Sequence, residues 1–215
     1  MKKKTAALFL ALALVVGATI GGTIAWLTAT TTPVVNTFTT SNIDITLNET
    51  DADKDGNANT NSYQMVPGYT IDKDPTVTVK AGSEKCYLFV KLDKENNFDT
   101  YLSYNVKTTG EGAWTKLNNV SEEVYYRIVD ASDLDQEFNV LAGGTKTFTE
   151  FDPALPCTWG DNQLLVNPTV TKEKMNELNN QNYPKLIVTA YASQYMKDNT
   201  NNFSALEAWN NVPQG

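Results

Sequence analysis

Apolar and polar residues alternate with a period of two along much of the chain after residue 33. At the start of this pattern, Ile43, Ile45 and Leu47 share one face of an extended segment, and polar residues share the other. Because successive side chains of a β-strand point to opposite faces, the pattern predicts a half-buried strand. Comparable runs occupy residues 75–81, 101–108, 123–130, 136–142, 145–151 and 184–195, and the run KCYLFVKL (85–92) is apolar on both faces, which predicts a central strand.

Turn-rich pieces separate these runs, and no strand-helix-strand rhythm links them. In two segments, 167–181 and 202–211, apolar residues have near-helical spacing, which predicts helices. The second segment begins with Asn202, a candidate N-cap. Many short strands with frequent turns predict a mainly all-β fold: an antiparallel β-sandwich of jelly-roll type with a few short decorating helices. The outer strands of such a sandwich expose unpaired N–H and C=O groups that can accept a strand from another chain.

Residues 1–25 have the order of a secretory signal peptide. Three lysines precede an apolar run, and small residues follow, with Thr23 and Ala25 at the −3 and −1 positions of a cleavage site after Ala25. The competing interpretation is a retained membrane anchor, because residues 5–27 are long enough to span a bilayer. The absence of a charge cluster after this stretch favours cleavage. Under both interpretations the protein is exported, and we expect it to be secreted, in the extracellular matrix or at the cell surface.

Composition excludes several classes of function. The chain contains 17 basic and 25 acidic residues, for a net charge of −8, which argues against a nucleic-acid partner. It contains no histidine, so it cannot form a Ser-His-Asp triad, a Cys-His pair or a histidine-ligated zinc site. Carboxylate-only chemistry stays open, but no pair of acidic residues stands out. We therefore expect no enzyme activity, and a chain of 215 residues requires no cofactor to form a core.

The segment DADKDGNANTNS (51–62) matches the start of an EF-hand-type calcium loop. Asp51, Asp53 and Asp55 take positions one, three and five, Gly56 takes position six, and Asn57 continues at position seven. Alternate residues of such a loop direct oxygen ligands inward, and the glycine permits the sharp turn. Position twelve is a serine rather than the bidentate glutamate, so a calcium site here would be weak. The alternative is a solvated acidic turn.

Two further sets of residues have competing interpretations. Cys86 and Cys157 could form a disulfide in an oxidising compartment, although Cys86 alternates with apolar residues as a buried hydrophobe would. The aromatic residues could form a carbohydrate-binding platform, but in strands they more often fill the core, which is the interpretation we favour. This second set comprises Tyr101, Tyr104, Trp114, Tyr125, Tyr126 and Trp159.

Several segments together resemble a known family. They are GGTIAWLTATTTPVVNTFTTSNIDITLNE (21–49), VPGYTIDKDPTVTVKAGSEKCYLFVKL (66–92), and LIVTAYASQ followed by FSALEAWN near the C-terminus. This combination is similar to the TasA/camelysin family of exported biofilm-matrix fibre proteins of Gram-positive bacteria. The resemblance covers both ends and is weak across residues 96–183.

The resemblance implies a jelly-roll subunit, residues 41–215, that polymerises by donor-strand complementation. Its partners would be copies of itself, a dedicated signal peptidase of the SipW type and other matrix proteins. Residues 26–40 would be the donor segment. Some family members are described as metallopeptidases, which the lack of histidine and of an HExxH motif argues against here. Together with the period-two pattern, the resemblance predicts that the pockets of the next subunit are filled by Trp26, Leu27, Val34, Val35 and Phe38.

A different class of function stays open beside the fibre hypothesis. The chain could be a monomeric cell-surface binding module for a glycan or a host protein, stabilised by calcium in the 51–56 loop. A monodisperse monomer at high concentration, with a calcium-dependent melting temperature, would favour this alternative.

Overall fold

The alternating runs form strands in a computed structural model of the protein, which describes residues 42–213. The first seven strands are β1 (Ile45–Asn48), β2 (Thr70–Asp72), β3 (Thr76–Val79), β4 (Cys86–Glu95), β5 (Leu102–Ser103), β6 (Asn105–Val106) and β7 (Thr115–Lys116). The next seven are β8 (Val124–Val129), β9 (Gln136–Asn139), β10 (Leu141–Ala142), β11 (Gly144–Phe148), β12 (Leu155–Trp159), β13 (Gln163–Val166) and β14 (Lys185–Gln194). Three short helices accompany them: α1 (Phe98–Tyr101), α2 (Lys172–Asn176) and α3 (Ala205–Asn210).

All strand pairs in the described residues are antiparallel, and the predicted all-β class is confirmed. The largest sheet has the order β14-β4-β8-β7, with β14 paired to β4 over ten residues. Two three-stranded sheets have the orders β1-β3-β9 and β2-β13-β5, and the pairs β6–β10 and β11–β12 complete the set. The apolar run KCYLFVKL lies in β4, which is a central strand as predicted.

The main core lies on one face of β4. Leu88 and Val90 are completely buried there and belong to the same cluster as Val77 of β3 and Val166 of β13. The four-stranded sheet therefore packs against the two three-stranded sheets as the layers of a sandwich. Full burial of each Val or Leu side chain contributes roughly 1.5–3 kcal/mol to the free energy of folding, so this shared cluster holds the layers together.

Helix α3 covers the opposite face of the four-stranded sheet. The ring centroid of Trp209 lies 5.3 Å from that of Phe89 on β4 and 5.3 Å from that of Tyr191 on β14. The N-cap of this helix is Ser204, which forms a capping box with Glu207, so the N-cap predicted at Asn202 was wrong by two residues. In a capping box, a serine and the glutamate three residues later each accept a hydrogen bond from the other's backbone N–H. Asn202 has no glutamate at that spacing and cannot form this cap.

Several boundaries differ from the predicted ones because neighbouring strands determine them. The run 101–108 divides at Tyr104, since β5 pairs with β13 whereas β6 pairs with β10. The run 136–142 divides at Val140 for the same reason, because β9 pairs with β3 and β10 with β6. The predicted helix 167–181 shortens to α2, and the asparagine-rich end of that segment forms turns instead.

Candidate strand-acceptor seam

The outermost strands of two sheets, β1 and β14, lie next to each other. Among residues 42–213, β1 pairs with β3 alone and β14 pairs with β4 alone. Cα atoms of the two strands come within 8 Å of each other, yet the strands share no backbone pairing. We call the space between β1 and β14 the seam.

The backbone of β14 directs half of its polar groups into the seam. The N–H of Tyr195 donates to the carbonyl of Lys85 directly opposite, which continues the β14–β4 register by one residue. In an antiparallel pair, hydrogen-bonded and non-hydrogen-bonded residues alternate. The odd-numbered residues of β14 therefore bond to β4. The N–H and C=O groups of Val188, Ala190 and Ala192 point away from β4, at the free edge.

The same alternation leaves a free edge on β1. The N–H of Lys80 donates to the carbonyl of Asp44, which is its opposite residue in the register of β1 with β3. The hydrogen-bonded positions of β1 are consequently the even-numbered ones. The N–H and C=O groups of Ile45 and Leu47 point away from β3 and have no strand partner in the described part of the chain.

The side chains that line the seam are apolar and face the core, but solvent still reaches them. They contrast with Leu88 and Val90 of the adjoining β4, whose side chains have no exposed area. A row of core-facing apolar side chains that stay partly exposed marks a place where the sandwich is incomplete. The half-buried, core-facing residues are Ile43, Ile45 and Leu47 on one side and Leu186, Val188, Ala190 and Ala192 on the other.

A cavity of about 260 Å³ opens between the two strands at one end of the seam. Its apolar wall is formed by Leu47 of β1 with Leu186 and Val188 of β14, and its polar wall includes Glu49 and Lys73. Nearby Ile187 exposes 41% of its surface. The cavity is therefore large enough to take apolar side chains from outside, with polar groups at one rim.

A partly buried polar network fixes the chain where β1 ends. The Lys73 ammonium lies 2.8 Å from the Glu49 carboxylate, and the Tyr63 hydroxyl donates to the same carboxylate at 2.7 Å. Burial, together with the hydrogen bond to Glu49 and its charge, raises the pKa of Tyr63 well above its usual range. Burial alone would raise the pKa of Asp74, but hydrogen bonds from the hydroxyl and N–H of Thr50 outweigh it and lower that pKa. These contacts hold the chain in place at the end of the seam where β1 finishes.

The acidic loop follows directly and brings three predicted ligands together. Oxygen atoms of Asp51, Asp53 and Asp55 lie within 4.8 Å of one another, and Gly56 takes the left-handed conformation (φ +88°) that the turn requires. Asp51 accepts hydrogen bonds from the N–H groups of Asp55 and Gly56. Asn57 donates its N–H to Asp55, while its side chain bonds to residues 59 and 60 within the loop. The loop is exposed, and its own hydrogen bonds hold its shape.

Other predicted site residues have different outcomes. The five donor-segment residues lie outside the described residues. The disulfide is not formed: both cysteines are free thiols, because Cys86 lies in the main core and Cys157 packs against a separate small cluster around Phe148 and Trp159. Burial raises the pKa of the Cys86 thiol to about 11.

The core interpretation of the aromatic residues is confirmed. Tyr101, Trp114, Tyr125 and Trp159 are buried, and Tyr104 and Tyr126 are half-buried against the same clusters. They therefore form no exposed carbohydrate platform.

Sequence reasoning did not locate the seam, although it predicted both strands beside it. The available signal was the pair Ala190 and Ala192, two small residues at core-facing positions of a strand whose other side packs tyrosines. None of the helices formed by residues 42–213 is long and apolar enough to cross a membrane. Comparison of the chain with protein-family models, with curated proteins and with solved structures found no match.

Proposed function

We propose that the protein is an exported structural subunit of extracellular fibres, in which residues 26–40 of one copy enter the seam of the next. The observation that carries the proposal is the incomplete edge between β1 and β14. There, core-facing apolar side chains are only partly buried, and two rows of backbone groups lack a strand partner among the described residues. An inserted strand would satisfy both rows and cover the apolar side chains.

Strand spacing indicates what insertion requires. Neighbouring strands lie about 4.7–4.9 Å apart, so two strands that flank a third are separated by roughly 9–10 Å. Because β1 and β14 approach within 8 Å, the seam must widen slightly to admit a strand. Each subunit then receives one strand and supplies another, which is a head-to-tail contact that does not close and therefore builds a filament.

The composition of the proposed donor segment suits this environment. No charged residue occurs between Lys4 and Asp44, so the segment enters the seam without burying a charged side chain. Its threonines and valines favour extended structure, and its large apolar residues supply groups of the kind that the open core lacks. The proposal assigns no catalytic residue.

Deletion of residues 26–38 from the secreted protein tests the proposal. We expect a soluble, folded monomer that forms no fibres in electron micrographs, and a synthetic peptide of residues 26–40 should raise its melting temperature by binding in the seam. A milder variant, Val34→Thr with Val35→Thr and Phe38→Thr, should weaken assembly, whereas Thr30→Ser should not. Fibres formed by the deletion variant would refute the proposal.

Processing of the leader is a separate requirement. If a signal peptidase cuts after Ala25, the secreted protein begins at Trp26, and the donor segment becomes a free end that can leave its own subunit. N-terminal sequencing of the secreted protein, with negative-stain imaging of the same sample, reports both the processing point and the assembly state. A secreted monomer that starts well beyond Phe38 would lack its donor and would contradict the mechanism.

The second candidate is a monomeric cell-surface binding module with calcium in the acidic loop. The clustering of three carboxylates within 4.8 Å favours it, and exported modules use calcium sites with dissociation constants of about 10⁻⁴–10⁻³ M. Calcium at millimolar concentration should then raise the melting temperature, and Asp53→Asn should abolish the increase while Asp99→Asn, far along the sequence on α1, should not. A monodisperse monomer with this calcium response would favour the module over the fibre subunit.

A further inference from the structure

Two further cavities continue from the end of the seam where β14 begins. The first has a volume of about 290 Å³ and shares Leu186 and Ile187 with the cavity inside the seam. The second has a volume of about 500 Å³ and shares Pro184 and Lys185 with the first. We call these two cavities together the groove. Because neighbouring cavities share lining residues, the groove is continuous with the seam and leads away from the start of β14.

The outer cavity of the groove has an apolar floor and a polar rim. Its floor includes one residue from each strand of the β2-β13-β5 sheet: Ile71, Leu102 and Leu164. Ser62 and Asn180 are exposed at the rim, and Lys185 forms an ion pair with Glu95. A cavity of this size with an apolar floor and a few polar groups suits an apolar group that carries one polar atom.

Tyr183 presents an aromatic ring to the outer cavity and exposes 47% of its surface. The backbone on which this ring stands is fixed. The N–H of Tyr183 donates to the carbonyl of Asn179 at 3.2 Å, and its carbonyl accepts from the side chain of Asn96 at 2.8 Å. An exposed tyrosine on a fixed backbone beside an apolar cavity is typical of the anchor points of protein interfaces.

The proposed donor segment is longer than the seam. The core-facing residues of β14 lie within 186–192, a span of about 23 Å, whereas residues 26–40 extend over about 50 Å at about 3.3 Å per residue. Residue 40 remains joined to its own subunit, so the free N-terminal end is the part that reaches beyond the seam. Trp26 lies eight residues before Val34, or about 26 Å in an extended chain.

We propose that the groove binds Trp26 of the next copy, while residues 34–38 of that copy lie in the seam. This inference rests on the proposed function and assigns a separate site to the free end of the donor. An indole fits the groove because its ring can stack on Tyr183 over the apolar floor, while its N–H donates to a polar group at the rim. Since the groove adjoins the start of β14, the donor strand runs parallel to β14.

Photo-crosslinking in fibres of the mature chain tests both the site and the direction. With p-benzoylphenylalanine in place of Trp26, irradiation should give a covalent dimer, and mass spectrometry should locate the link in residues 180–185 of the other copy. The same probe in place of Phe38 should link near Ala192, towards the other end of β14. The reversed pattern, or a link from position 26 to any other surface, would overturn the proposal.

Substitutions in the full mature chain supply a second readout. Trp26→Ala should raise the critical concentration for assembly at least about tenfold, and Tyr183→Ala about three- to tenfold. If the two rings touch, Tyr183→Ala should have little further effect in a chain that already carries Trp26→Ala. Tyr69→Ala is the matched control, because Tyr69 is 69% exposed and lines neither the groove nor the seam cavity.

The outcomes separate this inference from the proposed function. A mature chain that forms no fibres would refute the proposed function and the groove assignment together. Fibres in which Trp26→Ala and Tyr183→Ala act additively, or in which Tyr183→Ala acts no more strongly than Tyr69→Ala, would overturn the groove assignment alone. Coupled effects of the two substitutions, with the expected crosslink from position 26, support it.

Discussion

Replacing Ala190 by proline tests whether the edge of β14 is free in the monomer and accepts a strand in the proposed fibre. The N–H of Ala190 points away from β4, so proline removes no hydrogen bond within the sheet, and edge strands tolerate proline. We expect the free energy of unfolding of the monomer to fall by less than about 1 kcal/mol. In the proposed fibre, the inserted strand would lose one hydrogen bond and keep an unpaired carbonyl, which costs about 1–3 kcal/mol. Since 1.4 kcal/mol corresponds to a factor of ten, the critical concentration for assembly should rise about 5- to 150-fold.

Thr189→Pro is the matched control, one residue away on the same strand. The N–H of Thr189 points to β4, where Lys91 is its opposite residue, so proline there breaks a hydrogen bond inside the sheet. Urea unfolding of the two monomers should show a much larger loss for Thr189→Pro, and sedimentation measures the critical concentration of Ala190→Pro. Equal destabilisation of both monomers would mean that the assigned alternation is wrong. A wild-type critical concentration for Ala190→Pro would refute the seam as the acceptor.

Further predictions address the stability of the subunit. Trp209→Ala should lower the free energy of unfolding by about 3–5 kcal/mol, measured in urea, because α3 loses its aromatic packing. Lys73→Met removes the cation beside the partly buried Glu49, which keeps only the hydrogen bond from Tyr63, and should cost about 1–3 kcal/mol, which Glu49→Gln in the same chain should partly restore. Ser204→Ala should cost about 1 kcal/mol in thermal unfolding through loss of the cap. Hydrogen bonds from Ser204 lower the pKa of Glu207 from 4.5 to about 2, so its stabilising contribution, present above pH 4.5, is lost as the pH falls towards 2; Glu207→Gln should remove that part of the acid dependence.

Local patterns predicted most of the strands but not how they are shared among sheets. The alternation of Ile45 and Leu47, or of Val77 and Val79, depends on one buried face and is visible in the sequence. The divisions at Tyr104 and Val140 depend on which distant strand pairs with each half, and no local pattern contains that information. Strand β12 was missed because it contains proline at position 156, which is typical of edge strands and turns rather than of strand interiors.

The two candidate sites differ in the same way. The carboxylates of the acidic loop come from residues spaced two apart, so the sequence predicted their proximity correctly. The seam, in contrast, is formed by β1 and β14, which are distant in the sequence and whose neighbours are set by their separate pairings with β3 and β4.

The two edges of the four-stranded sheet are protected very differently. At one edge, β7 is two residues long and carries a lysine, which limits pairing with a foreign strand. At the other edge, β14 is ten residues long and has no proline and no charged residue after Lys185. A long, uncharged edge beside partly exposed core residues is an aggregation hazard in a protein that works as a monomer. The asymmetry is explained if a strand occupies the β14 edge in the working state. On that account, Ala190→Pro should reduce both ordered fibres and amorphous aggregation, because both use the same edge.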